Sequence, residues 1–189
     1  MQESATKPEP SQQRLAADRF LASVEQRAFH MAVMATRHRD EALDIVQDSM
    51  LAWVSHYLAH PHDTWRPLFY KVLQSRIRDW YRRTAVKRRV MMWFGRGDDG
   101  EGSLDKLADI PGPAASDPAS LLVHRQTLET LFHAVERLPL RQQQAFLLRS
   151  WEGLDVTETA LAMGCSAGSV KTHLSRAMTA LRASVGDCL

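Results

Sequence analysis

The chain has 189 residues, 44% of them hydrophobic, and 24 lysines and arginines nearly balance 22 aspartates and glutamates, for a net charge of +2. That is enough chain for one good core or two small ones. No apolar run approaches the roughly 18–20 residues that span a bilayer, and the start MQESATKPEPSQQRL lacks the apolar centre of a secretory signal.

Membrane insertion and export are therefore not expected, and the expected location is cytoplasmic. Only Cys165 and Cys188 are present, outside any CxxC or Cys/His cluster, so neither a disulfide framework nor structural zinc is expected, and no cofactor. The near-neutral total hides a segregation: Arg66 to Arg89 holds nine basic residues and one acidic, Asp98 to Asp117 six acidic and one basic. Separation of this kind says more about partners than net charge does.

In chain order, residues 1–13 are polar and contain two prolines, which predicts a disordered tail. From Arg14 the apolar residues recur at helical spacing: Leu15, Phe20, Val24 and Ala28; Ile45, Val46, Met50, Trp53 and Val54; Phe69, Val72, Leu73, Ile77 and Trp80. Nothing alternates with period two for long, so the class is all-α. The break HPHDTWRP, with Pro61 and Pro67, separates two long helices because proline lacks the amide a helix interior needs. A first helical domain is expected over 14–92.

Residues 93–118, rich in glycine, proline and aspartate, read as a flexible acidic linker. Its Arg96-Gly97-Asp98 tripeptide and its DDGEG stretch are chance matches, since the full calcium-loop spacing is missing. A second small helical domain is expected over 119–189. Pro139 sits at a first-turn position ahead of LRQQQAFLLRSWEG, which Gly153 ends.

TETALAMGCSAGSVKTHLSRAMTALRASV has the spacing of a helix-turn-helix. Ala160 is small where two helices cross, Gly164 suits a left-handed turn, and Ser166 can cap the second helix. Val170, Leu174, Met178, Leu181 and Val185 then share one face. Ser169, Lys171, Thr172, His173, Ser175, Arg176 and Thr179 are left outward or lateral. Short hydroxyls and cations of this kind reach base edges and phosphates in a major groove. Cys165 reads as a small buried hydrophobe at an inward turn position, and His173 as a surface or phosphate contact.

On a helical wheel centred on Phe69, Val72, Leu73, Ile77 and Trp80 fall within about 80°, a core stripe. Lys71, Arg78 and Arg82 cluster opposite, a row that could follow a phosphate backbone. Asp79 is placed to pair with Arg76 and Arg83. Tyr81 and Trp65 are the rings expected to stack on unpaired bases. His56, His60 and His62 lie close in sequence without carboxylates and read as polar loop residues, not a metal site.

Together the two halves resemble an RNA polymerase sigma factor of the extracytoplasmic-function class, over roughly Arg19 to Arg89 and Leu128 to Val185. DEALDIVQDSMLAWV is similar to the family's core-binding stretch and LFYKVLQSRIRDWYRR to its promoter-melting helix. The segment from LPLRQQQAF to SRAMTAL is similar to its upstream-element reader. The resemblance implies that Asp44, Val46, Gln47, Asp48 and Trp53 dock on the clamp helices of the polymerase's largest subunit, with the second-largest-subunit flap as a further partner. It implies that the loop His60 to Pro67 and the following helix, with Trp65, Lys71, Arg76, Arg78, Tyr81 and Arg82, hold the opened −10 strand of promoter DNA. Ser169, Lys171, Thr172, Ser175 and Arg176 would read the −35 element. An anti-sigma factor is implied as a further partner.

The chain departs from the family pattern at Ser75, usually asparagine, and at Leu68, usually tryptophan, where Trp65 stands in as a nearby ring. The alternative is a free-standing helix-turn-helix regulator that binds duplex DNA without polymerase. An enzyme finds little support, since no phosphate loop, HExxH, nucleophile elbow or dinucleotide fingerprint is present.

Overall fold

The structure, a computed structural model, describes residues 10–93 and 130–186, all helix and connecting turn with no strand among them. The first half holds α1 (Pro10–Thr36), α2 (Arg39–Tyr57) and α3 (His62–Trp93). In the second half a helical stretch, α4 (130–136), precedes α5 (Leu140–Phe146), which widens into a π turn over Leu147–Trp151. The helix-turn-helix is α6 (Val156–Met163) and α7 (Ala167–Gly186). The all-α expectation holds among the described residues. The acidic linker, its Arg96-Gly97-Asp98 and DDGEG stretches, and the expected helix start at Ala119 lie outside them.

Two boundaries differ from the sequence expectation. α1 begins at Pro10 rather than near Arg14, and Gln13 of its first turns donates from Nε2 to the Leu58 carbonyl at 2.7 Å. Pro67 lies inside α3, so the break narrows to residues 58–61. The turn is closed by Pro61, whose carbonyl accepts from the Thr64 amide at 3.0 Å and the Thr64 hydroxyl at 2.7 Å. Residues 62–67, expected as loop, are therefore the first turns of a helix.

The first half packs around a cluster of rings from all three helices. Trp53 of α2 lies 4.9 Å from Phe20 of α1 and 5.1 Å from Trp65 of α3, centroid to centroid. Phe69, Leu73 and Ile77 are buried beside them, as the wheel predicts, whereas Trp80 is only partly buried and donates from Nε1 to Glu41 at 3.0 Å. Just past the end of α1, Arg37 adopts φ +60°, a left-handed conformation costly for a residue with a β-carbon. Thr36 braces this corner, its hydroxyl donating to the carbonyls of Ala32 and His38.

The second half packs α5 and α7 around Ala145, Leu148, Val170, Ala177 and Leu181. The two halves also touch. Arg37 donates to the Glu136 carbonyl at 3.1 Å, and Gln143, buried on α5, donates to the carbonyls of Met34 and Val135 at 3.3 and 3.1 Å. His30 of α1 stacks on Trp151 of the π turn, 6.0 Å between centroids and 22° between planes. α6 lies along α3.

Candidate nucleic-acid interface

The helix-turn-helix is built by local chemistry. Asp155 accepts from the Glu158 amide and Glu158 accepts from the Asp155 amide, both at 2.7 Å, a reciprocal cap that starts α6. α6 ends at Gly164, φ +62°, where the Cys165 amide reaches back to the Ala160 carbonyl at 3.1 Å. Ser166 starts α7 by accepting from the Ser169 amide at 3.1 Å. Val170 and Ala177 are fully buried and pin the helix. Lys171, Thr172, Ser175 and Arg176 stand open to solvent, while Ser169 is half-buried with its hydroxyl 2.9 Å from that of Ser166. Cys165 is partly buried, and His173 is half-buried on the flank of α7.

On α3 the charges are less free than the wheel suggests. Lys71 and Arg82 are exposed, but Arg82 pairs with Asp79 one turn earlier, and Arg76 reaches Asp48 of α2 at 3.7 Å. Asp79 therefore pairs with Arg82, not with Arg76 and Arg83 as expected. Arg78 donates to the Met163 carbonyl at the C-terminus of α6 at 3.2 Å, and Arg141 of α5 donates to the same oxygen at 2.8 Å. Burial, and then the adjacent Arg141 charge, lower the Arg78 pKa. The row Lys71, Arg78, Arg82 is thus interrupted by the second half, which sits over its middle member.

The two rings expected to meet bases are placed differently. Trp65 is a core residue, 3% exposed, and its Nε1 donates to the His60 carbonyl at 2.7 Å, so no ring face is open for stacking. His62, exposed and 4.0 Å away, covers it. The reason is the extra helical turn: with α3 starting at His62, Trp65 falls on the side that meets Phe20 and Trp53. Tyr81 donates its hydroxyl to the Ala35 carbonyl at 2.8 Å yet keeps 37% of its surface exposed.

On α2, Asp44, Gln47 and Asp48 are exposed on one side, while Val46 and Trp53 are buried, Trp53 completely. Those two hold the helix in place and offer no docking surface. The exposed apolar residues beside the acids are Leu43, Leu51 and Val54. Their spacing with Asp44, Gln47 and Asp48 at three and four residues was available in the sequence, but Val54 reads there as part of the core stripe. Among the described residues no group of three or more histidines, cysteines or carboxylates is gathered for a metal, and no helix is long and apolar enough to cross a membrane.

Residues 128–181 match the model of the family "Sigma-70, region 4". The chain is 29% identical over 141 residues to the RNA polymerase sigma factor NccH of Alcaligenes xylosoxydans, covering 74% of this chain and 70% of the relative. To the RNA polymerase sigma-E factor of Streptomyces avermitilis it is 33% identical over 115 residues, 59% of each chain, so the match spans less than two thirds of that relative. Among solved structures, the sigma factor RpoE of Bartonella quintana, in complex with the anti-sigma factor NepR, shares the fold with a TM-score of 0.62 at 21% identity, over 89% of this chain and 96% of that one. With a sigma-70 region 4 helix-turn-helix in one half and a three-helix unit with its basic α3 in the other, the chain is similar to RNA polymerase sigma factors of the extracytoplasmic-function class.

Proposed function

We propose that this protein joins core RNA polymerase as its promoter-specificity subunit, reading a −35 element with α7 and holding the opened −10 strand along α3. The observation that carries the reading is the open face of α7, where Lys171, Thr172, Ser175 and Arg176 project from a helix held at its base by Val170 and Ala177. Cations and short hydroxyls on a rigid helix are what major-groove readout uses.

α2 supplies the polymerase contact through Asp44, Gln47 and Asp48 with Leu43, Leu51 and Val54, an acidic and apolar patch suited to the largest subunit's clamp helices. The second half docks on the flap of the second-largest subunit. Lys71, Arg76, Arg78 and Arg82 with Tyr81 take the unpaired strand. Synthesis stays with the polymerase, and the place of action is the cytoplasm. The solved relative is bound to an anti-sigma factor, which supports a partner of that kind here.

Run-off transcription with purified core polymerase on a bipartite promoter tests this. Initiation is expected only when the chain is added. No initiation above core alone, together with tight duplex binding by the free chain, sinks the reading in favour of a free-standing regulator.

A further inference from the structure

Glu152, at the end of the π turn, is the most deeply buried acid among the described residues, its side chain wholly covered. It lies between the halves: its Oε2 is 3.8 Å from Arg27 Nη1 of α1 and 3.7 Å from Arg66 Nε of α3. Both distances are too long for a direct hydrogen bond, which leaves the buried Tyr70 hydroxyl as the polar group that faces the carboxylate. The Tyr70 phenol is driven far above its ordinary pKa, by burial first, then by the Glu152 charge and by hydrogen bonding to the Glu152 side chain. Removing a carboxylate from water costs several kcal/mol unless hydrogen bonds replace the lost hydration. Here the two arginines, each with 45% of its side chain exposed, supply attraction without direct bonds.

Arg66 and Tyr70 begin a row on α3 at four-residue spacing, continued by Gln74 and Arg78, about 18 Å long at 1.5 Å per residue. The second half covers both ends of it: Glu152 on Arg66 and Tyr70, the Met163 carbonyl on Arg78. Between them Gln74 donates only to the Met31 sulfur, at 3.9 Å, and its Oε1 has no partner. A polar row with Arg66 and Arg27 standing 3.7 and 3.8 Å from their carboxylate, and with the Gln74 oxygen left unpaired beneath the protein cover, is loosely matched to that cover. Arginine forks match phosphate oxygens far better than they match a distant carboxylate.

We propose that Arg27, Arg66 and Tyr70 form a phosphodiester-binding site for the unpaired DNA strand, and that Glu152 occupies it as an internal stand-in while the two halves are packed together. The free chain is then latched, and strand binding requires Glu152 to leave. The choice of an unpaired strand as ligand rests on the sigma-factor reading; the latch itself rests on the contacts between the halves.

The test uses the full-length chain and a short dye-labelled oligothymidine, followed by fluorescence anisotropy. A latched site binds more weakly by the fraction of time it is open, so E152Q is expected to tighten binding about tenfold. R66A in the E152Q background is expected to remove that gain. Energy transfer between labels at Ser55→Cys and Thr179→Cys, with Cys165 and Cys188 replaced by serine, is expected to report a longer distance in E152Q. R66E faces Glu152 with a like charge and removes the site, so it is expected to lengthen the distance without tightening binding; it decides the matter should E152Q lose its helical circular dichroism. Unchanged affinity in a folded E152Q, a gain that survives R66A, or an R66E chain as compact as the parent overturns the proposal. The parent's run-off transcription is scored separately: its failure sinks the sigma reading, whereas failure of the variants beside an active parent sinks only the latch.

Discussion

Arg76 on the basic helix and Asp48 on the acidic side of α2 form an ion pair at 3.7 Å, joining a residue assigned to promoter DNA with one assigned to polymerase. The pair is half-exposed on both sides and is worth only about 0–1 kcal/mol to folding. D48A should therefore melt within a few degrees of the parent while holoenzyme assembly, followed by gel filtration with core polymerase, weakens. Equal loss of thermal stability and assembly would undo the assignment of Asp48 to the polymerase face.

Arg176 stands exposed on α7 with no salt-bridge partner among the described residues. R176A is expected to lose discrimination between the correct −35 element and a scrambled one by about 1–3 kcal/mol, the worth of one good base contact. Core binding should be unchanged. If transcription falls equally on both promoters, Arg176 contacts only backbone.

Trp53 is fully buried, and its indole nitrogen has no hydrogen-bond acceptor. Replacement by phenylalanine thus forfeits no hydrogen bond, whereas W53A opens a cavity costing about 3–5 kcal/mol. The expectation is that W53F still assembles with polymerase and W53A fails by unfolding, seen as lost helical circular dichroism. A folded W53A that nevertheless fails to assemble would return Trp53 to the docking surface.

His30 has its pKa lowered below 6.5: burial is the largest cause, the hydrogen bond with the Gln26 backbone opposes it, and the Arg39 charge adds a smaller lowering. The folded state therefore prefers the neutral ring, and below pH 6.5 the unfolded chain binds more protons than the folded one. The stabilisation is fully present above that pH and is lost as pH falls through the lowered folded value. Melting temperature should decline on acidification from neutral, and H30F, which keeps a ring against Trp151, should flatten that decline. An identical pH profile in H30F would exclude His30 as the source.

The sequence carried the reader domain almost intact because its determinants are local: Gly164 takes the left-handed turn, Ser166 caps α7, and Val170 and Leu181 point inward. Helical periodicity likewise foretold Phe69, Leu73 and Ile77 as core. It misplaced Trp65 because a proline-bounded segment reads as loop, while Pro67 is accommodated a turn and a half inside α3. It offered Val46 and Trp53 for docking because similarity to a binding stretch does not separate the residues that touch a partner from those that hold the helix beneath. The contacts between the halves, from Arg37 to Glu136 and from Arg78 to Met163, join residues far apart in the chain, and no periodicity encodes them.

The π turn at Leu147–Trp151 has a consequence for how such a chain diversifies. Its wider hydrogen bonding, with the Glu152 amide reaching the Leu147 carbonyl at 3.0 Å, accommodates about one residue more than an α-helix would over the same rise. Losing one codon there would restore the ordinary helical winding and leave the flanking turns nearly in register, whereas a one-residue deletion in a regular helix turns everything beyond it by roughly 100°. The helix-turn-helix beyond would keep its own caps and core. The wide turn is therefore the place in this half where chain length can change by one residue while Trp151 and the helices beyond keep their direction.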